Sequence, residues 1–220
     1  MLKYKIYVLL IFLISLCSIN YIYAKNNELL LLGKVIYIDP GHGNLDPGAM
    51  YKGIKEKDIN LEISKKVEDI LIKEGAIVYL TRYGDYDLSV PNTINRKRSD
   101  LSRRGNIINK SDCDLFISIH LNAEDTGVWR GAQVFYDDKN SENEKIAKIF
   151  QKHFKKDLNS TRKYKKTKEL YLQKRIDKPG VLLELGFLSN ASDRYLLKQD
   201  SYQNKIATTI RNSVVEYLTN

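Results

Sequence analysis

The chain has 220 residues, of which 43% are hydrophobic and 29% charged, and its formal net charge is +9. That length and balance suit one globular domain with an ample core, and two cysteines, one of them in the N-terminal apolar segment, exclude a disulfide framework in a processed domain. The positive excess suits an acidic polymer such as cell wall, an anionic membrane surface or nucleic acid; the nucleic-acid role rests on net charge alone and ranks last.

Lys3 and Lys5 precede the apolar run from Ile6 to Leu16, a positive segment followed by a hydrophobic one. Residues 1–24 are therefore expected to be a signal peptide, with Ala24 before the cleavage point, or an uncleaved membrane anchor extended by Tyr21-Ile22-Tyr23. Either alternative exports the domain. Residues 25–33 are expected to be a linker, and 34–220 the catalytic domain.

The first strand is expected at 34–39, followed by a Gly/Pro loop over 40–55. Asp58 is placed to cap a helix whose stripe is Ile59, Leu61, Ile63, Val67, Ile70 and Leu71, ended by Gly75. A second strand covers 76–81. The polar stretch from Arg82 to Lys97 is a loop, and Ser99 is placed to cap a helix through Asn109. A third strand covers 114–119, with Cys113 before it as a small buried hydrophobe. Another strand is expected at 131–136 and a helix at 142–157. Arg162, Lys163, Lys165, Lys166 and Lys168 form a solvated basic loop. Leu170-Tyr171-Leu172 is expected to be a short strand, 180–185 the last strand, and 191–198 and 201–219 helices. Strands alternating with helices make an α/β layered sheet.

Two of the three histidines leave hydrophobic strands: His42 after Lys34–Asp39 within Asp39-Pro40-Gly41-His42-Gly43, and His120 after Leu115–Ile119. The rims of α/β sheets are where ligands bind, so both are candidate metal ligands. Gly41 and Gly43 allow a tight turn that brings backbone and imidazole close to a bound group. A catalytic zinc site needs a third protein ligand. Glu56 is the candidate, its alternative being a helix-start carboxylate favoured by the macrodipole. Glu184 is set among Val181, Leu182, Leu183 and Leu185. A buried carboxylate needs a partner or a proton, so Glu184 is either the partner of a buried arginine or a general base with a raised pKa. His153, on a lysine-rich helix, is read as a surface residue. Asn122 either orients His120 or a substrate amide, or forms a turn. Trp129 either lines a sugar groove or packs under a loop. Arg96, Arg98, Arg103 and Arg104 either meet anionic wall polymer or face water.

Asp39-Pro40-Gly41-His42-Gly43, Glu56-Lys57-Asp58, Ser118-Ile119-His120-Leu121-Asn122-Ala123 and Glu184-Leu185-Gly186-Phe187-Leu188-Ser189-Asn190 occur in the order seen in zinc-dependent N-acetylmuramoyl-L-alanine amidases. From about Val35 to Tyr217 the chain resembles the amidase-3 catalytic domain. Asn44 and Leu121 depart from its usual pattern at positions that supply no ligand. The resemblance implies a mixed, roughly six-stranded sheet with helices on both faces, as in phosphorylase/hydrolase-like folds. It implies zinc held by His42, Glu56 and His120, with Glu184 as the catalytic carboxylate. The bond cleaved would be the amide between the muramic lactyl group and L-alanine, on peptidoglycan glycan strands carrying peptide stems. The compact layout also resembles the spore-cortex amidases of endospore-forming bacteria, which implies muramic-δ-lactam formation, a role in germination, and action outside the inner forespore membrane. A single domain without wall-binding repeats suggests an activating or positioning protein partner. The alternatives are a zinc peptidase acting on the stem and a catalytically inactive wall-binding module.

Overall fold

A computed structural model describes residues 7, 10–15, 29–168 and 170–220. Most of the expected leader (1–24) and linker (25–33) lies outside the described residues. Of the N-terminal unit, 1–30, residues 10–15 are helical and exposed. No helix among the described residues is long and apolar enough to cross a membrane. The second unit is Leu31–Asn220; its first residue is fully buried and donates its backbone N–H to Glu74 O, so packed chain begins three residues before the position expected for it.

Six strands form one mixed sheet in the order β4-β1-β5-β8-β6-β7. These are β1 (Val35–Pro40), β4 (Ile77–Leu80), β5 (Leu115–Asn122), β6 (Gln133–Tyr136), β7 (Lys165–Lys166) and β8 (Gly180–Phe187). β4, β1, β5 and β8 run parallel; β6 is antiparallel to β8 and β7 parallel to β6. The alternation of side chains along a strand divides the core. Ile36, Ile38, Leu115, Ile117, Ile119, Val181 and Leu183 belong to one cluster, with α1 (Glu56–Lys73), α3 (Asn143–Leu158) and α5 (Asp200–Thr219). The short α4 (Ala191–Leu197) adds Leu197 to it. Phe116 lies on the opposite face, in a small cluster with Ile108, Cys113, Leu172 and Ile176. Among the described residues, α2 (Arg96–Asn109) and a 3₁₀ turn, Gln173–Arg175, pack on that face. Residues 39, 118, 120 and 184 share the parity of this lightly covered face.

Several elements differ from the expected ones. The 40–55 loop contains a hairpin, β2 (Met50–Tyr51) with β3 (Ile54–Lys55). Lys52 and Gly53 both have positive φ, 49° and 77°, as a type I′ turn requires. α1 starts at Glu56, so Asp58 lies inside its first turn rather than capping it; the loop carbonyls Ala49 O and Pro47 O accept the first N–H groups instead. α2 starts at Arg96 and is capped by the Asn95 side chain, not Ser99. Leu170–Leu172 is not a strand: Leu172 is buried at the start of the 3₁₀ turn, and the edge strand forms in the basic segment, where Lys165 and Lys166 pair with Phe135 and Tyr136. His153 is largely covered rather than on the surface, its Nε2 lying 2.9 Å from Glu216 Oε2 on α5. Cys113 is buried, as expected.

Two buried guanidinium groups hold the end of β1. Arg104 is 1% exposed. It reaches Asp39 Oδ1 at 2.9 Å and Asp100 Oδ1 at 2.9 Å, and donates to the carbonyls of Pro40 (2.9 Å) and His42 (2.8 Å). Arg82, also 1% exposed, donates to the carbonyls of Pro40, Gly41, Lys57 and Gly84. Asp39 also accepts from Thr81 Oγ1 and Ser118 Oγ. Burial alone would raise the Asp39 pKa; Arg104 and the Thr81 hydroxyl overturn that and lower it to about 2. Arg104 is thus no surface arginine, and Arg96 pairs with Asp87.

Replacing Arg104 with methionine leaves Asp39 buried without its cation, which costs about 3–5 kcal/mol; urea denaturation of Arg104→Met is expected to show this as a lower midpoint. In the unmodified protein the Asp39 contribution is complete above its unfolded pKa of about 3.9 and is lost as pH falls toward the folded value of about 2.

Candidate metal centre

The β1 exit is a left-handed step: His42 has φ 66°, a conformation that histidine visits more readily than bulkier residues. This step is fixed by the Arg82 and Arg104 contacts to the carbonyls of residues 40–42. It turns the His42 ring toward β5. Gly41 is obligatory, because a Cβ there would lie 2.3 Å from the His120 ring. Gly48 (φ 66°) is equally constrained, since its Cβ would lie 2.5 Å from Glu56 Oε2 and 2.7 Å from the His42 ring.

Glu56 begins α1 and is 3% exposed. Its Oε1 lies 3.2 Å from His42 Nε2 and 3.0 Å from His120 Nδ1. The Leu121 N–H (3.0 Å) and Asn60 Nδ2 (3.2 Å) also donate to Oε1, and the Ala49 N–H donates to Oε2. The two imidazoles meet edge to face, with centroids 4.9 Å apart. One ligand atom from each of His42, Glu56 and His120 lies within 4.8 Å of the others. Two imidazole nitrogens and one carboxylate oxygen are a donor set suited to zinc, with an open position left for water or substrate. The two glycine cradles and the burial of Glu56 fit an ion held at this point.

β5 extends through Asn122 and β8 through Phe187, so His120 and Glu184 stand inside paired strands, directly opposite each other. No arginine meets Glu184. Its Oε2 is buried and has no hydrogen-bond partner among the described residues. Burial raises its pKa to about 7, the Glu56 carboxylate adding to the rise and the His120 and His42 imidazoles opposing it. At His42, burial acts downward, but the bonds to Asp46 and Glu56 carry the pKa up to about 9. Burial would raise Glu56; the two imidazoles outweigh it and hold Glu56 well below the usual carboxylate range.

All four sequence candidates therefore converge. Sequence reasoning did not single out Asp46, whose Oδ2 lies 3.0 Å from His42 Nδ1 and fixes the ring tautomer in the manner of an outer carboxylate. Nor did it find Lys57, buried between Asn44 O and Asp85 Oδ2, which ties α1 to the 82–98 loop. The Asp-x-Gly spacing of Asp46 and Gly48 was the available signal for the first; nothing local marks the second. Asn122 accepts the N–H of Ala123 with its own side chain, a turn role. Trp129 is 55% exposed, lies under the Arg162 guanidinium and is not among the residues lining the cleft over the site. A cleft of about 330 Å³ opens over the site, with His42, His120 and Glu184 on its floor and Lys97, Tyr171 and Gln173 on its wall.

Comparison with known proteins agrees with this geometry. The N-acetylmuramoyl-L-alanine amidase family profile (Amidase_3) matches residues 36–216. The germination-specific N-acetylmuramoyl-L-alanine amidase of Bacillus subtilis is 44% identical, over 96% of this chain and 93% of that protein. N-acetylmuramoyl-L-alanine amidase LytC of the same organism is 34% identical over 85% of this chain, which corresponds to 36% of that longer protein. Among solved structures, the CwlD amidase of Clostridioides difficile, determined in complex with the GerS lipoprotein, superposes with a TM-score of 0.81 at 36% identity, covering 85% of this chain and 99% of that one. The chain belongs to the N-acetylmuramoyl-L-alanine amidase family and is a cell-wall hydrolase of that specificity.

Proposed function

We propose that this amidase is a zinc enzyme of the spore cortex, with His42, Glu56 and His120 as metal ligands and Glu184 as the proton-transferring carboxylate. The observation that carries the site assignment is the convergence of two imidazoles and one carboxylate within 4.8 Å, beside a buried carboxyl whose Oε2 finds no hydrogen-bond partner among the described residues. The cortex assignment is supported by similarity to the germination-specific amidase over nearly the whole of both proteins. In cortex, removal of stems from muramic acid prepares the sugar for muramic-δ-lactam formation.

Bound at these three residues, zinc supplies the Lewis acidity that polarises an amide carbonyl and acidifies water. The chain's own residues do the rest. Glu184 has a pKa near 7, matched to proton transfer at neutral pH. Its Oε2 takes the proton of the attacking water and returns it to the alanine nitrogen as the amide bond breaks. Asp46 and the Asn60, Ala49 and Leu121 donors hold His42 and Glu56 in place throughout. No covalent intermediate with the enzyme is required.

The same proposal includes export. Residues 1–24 act as signal peptide or membrane anchor, supported by the Lys3/Lys5 and apolar pattern, and deliver the 34–220 domain to the wall or cortex side. A protein partner is supported by the solved complex of the C. difficile amidase with a lipoprotein. Full activity of the purified domain with zinc alone would remove the need for such a partner.

Digestion of purified cortex, followed by mass spectrometry, is expected to release intact peptides with a free N-terminal L-alanine and to leave stem-free muramic acid. Cleavage within the stem would overturn the bond assignment, and digestion of vegetative wall alone would overturn the cortex assignment. Glu184→Gln is expected to keep stoichiometric zinc and lose about 10²–10⁴-fold in kcat; unchanged turnover would refute its role. His42 holds a proton below about pH 9 that a metal must displace, so the zinc association constant is expected to rise about tenfold per pH unit between pH 6 and 8, measured by chelator competition.

A further inference from the structure

Gln173 opens the 3₁₀ turn beside the cleft and is 2% exposed. It lines the same cavity as His42, His120 and Glu184. Its Nε2 is buried and no group among the described residues accepts a hydrogen bond from it. A buried amide donor without an acceptor costs about 1–3 kcal/mol, a cost that nothing in the fold offsets: the backbone of the turn is closed by Leu172 O and Gln173 O, and the apolar contacts of the segment come from Leu172 and Ile176. The surroundings identify the missing acceptor. Tyr171, also on the cleft wall, lies under the Arg175 guanidinium at 3.5 Å from its ring centroid and accepts from Arg98 Nε at 3.1 Å. Lys97 lines the same wall and is exposed. One side of the cleft therefore carries an unmet amide donor beside the exposed Lys97, which lies 3.5 Å from Asp46 Oδ2, and beside Tyr171, which Arg98 and Arg175 contact. The N-acetylated glycan is neutral, whereas the peptide stem brings carboxylates and a row of carbonyls.

We propose that Gln173 is a substrate-contacting residue that donates its Nε2 hydrogen bond to a carbonyl or carboxylate oxygen of the peptide stem, on the wall it shares with Lys97 and Tyr171. This rests on the amidase function set out above and names the surface that reads the part of the substrate to be released. It accounts for a polar side chain buried beside Leu172 and Ile176.

The test uses two variants of the full chain, Gln173→Met, which keeps the volume and removes the donor, and Gln173→Glu, which keeps the shape and replaces the donor with an acceptor. Binding is measured by calorimetry in the Glu184→Gln background, with a disaccharide muropeptide carrying its intact stem and with the same disaccharide lacking the stem. Both variants are expected to weaken binding of the stem-bearing ligand about tenfold, to leave binding of the stem-free disaccharide unchanged, and to raise KM on cortex by the same factor in the Glu184 enzyme, while zinc content stays at the parent value and the melting temperature of Gln173→Met is no lower than the parent's. Unchanged affinity for the stem-bearing muropeptide, or equal weakening for both ligands, overturns the proposal. Should the methionine variant fail to fold, the glutamate variant alone decides. The unsubstituted enzyme run in parallel separates the two claims: its failure to release stems from cortex counts against the amidase assignment, whereas normal release with unaltered variants counts against Gln173 alone.

Discussion

Removal of two arginine side chains from water organises this molecule. Arg82 and Arg104 are each 1% exposed, in a chain whose net charge of +9 would lead one to expect its cations outside. Burying an ion costs several kcal/mol unless its hydrogen bonds are met. Arg104 meets its needs with Asp39, Asp100 and two carbonyls, and Arg82 with four carbonyls. The carbonyls in question belong to residues 40–42 and their neighbours, the stretch in which β1 stops and His42 turns. An unpaired strand end becomes a rigid bracket because its acceptors are saturated by fixed, planar donors.

From that bracket the rest of the site follows by register. β1, β5 and β8 are adjacent and parallel, so His120 and Glu184 fall opposite one another and Ser118 reaches back to Asp39. α1 enters at the same level because its first N–H groups are taken by the loop carbonyls Ala49 O and Pro47 O, which sets Glu56 between the imidazoles. Among the described residues, the face bearing these groups is packed by α2 and a 3₁₀ turn, whereas the opposite face is packed by three long helices. The sheet thus has a structural side and a chemical side, separated by nothing more than the two-residue period of a strand.

Much of this was legible in the amino-acid sequence. The strands ending near His42 and His120, the helix following Glu56, and the misplaced carboxylate among Val181, Leu182, Leu183 and Leu185 all pointed to the four residues that converge, and four ordered motifs pointed to the family and its sheet. What escaped had no local mark. Arg104 belongs to a run rich in arginine that reads as a wet helix face; its partners Asp39 and His42 lie more than sixty positions away. His153 sits among lysines, yet α5 covers it. β7 consists of two lysines, whose strand conformation comes from the free edge of β6 rather than from propensity. Leu170–Leu172 had strand composition, but Leu172 was needed as a plug over Ile108 and Phe116. In each case the deciding interaction was long-range.

The two glycines against the rings have a bearing on how such an enzyme diversifies. Any side chain at position 41 collides with His120, and any at 48 collides with Glu56 and His42, so the floor of the cleft tolerates no drift. The segment from Leu170 to Ile176 is held by buried Leu172 and Ile176, by a few backbone bonds and by side-chain bonds from Arg98, Asn109 and Lys139, none of which comes from a strand of the sheet. Mutational change that retunes which wall polymer is accepted therefore has room on this short turn, while the chemistry beneath it is inherited unaltered.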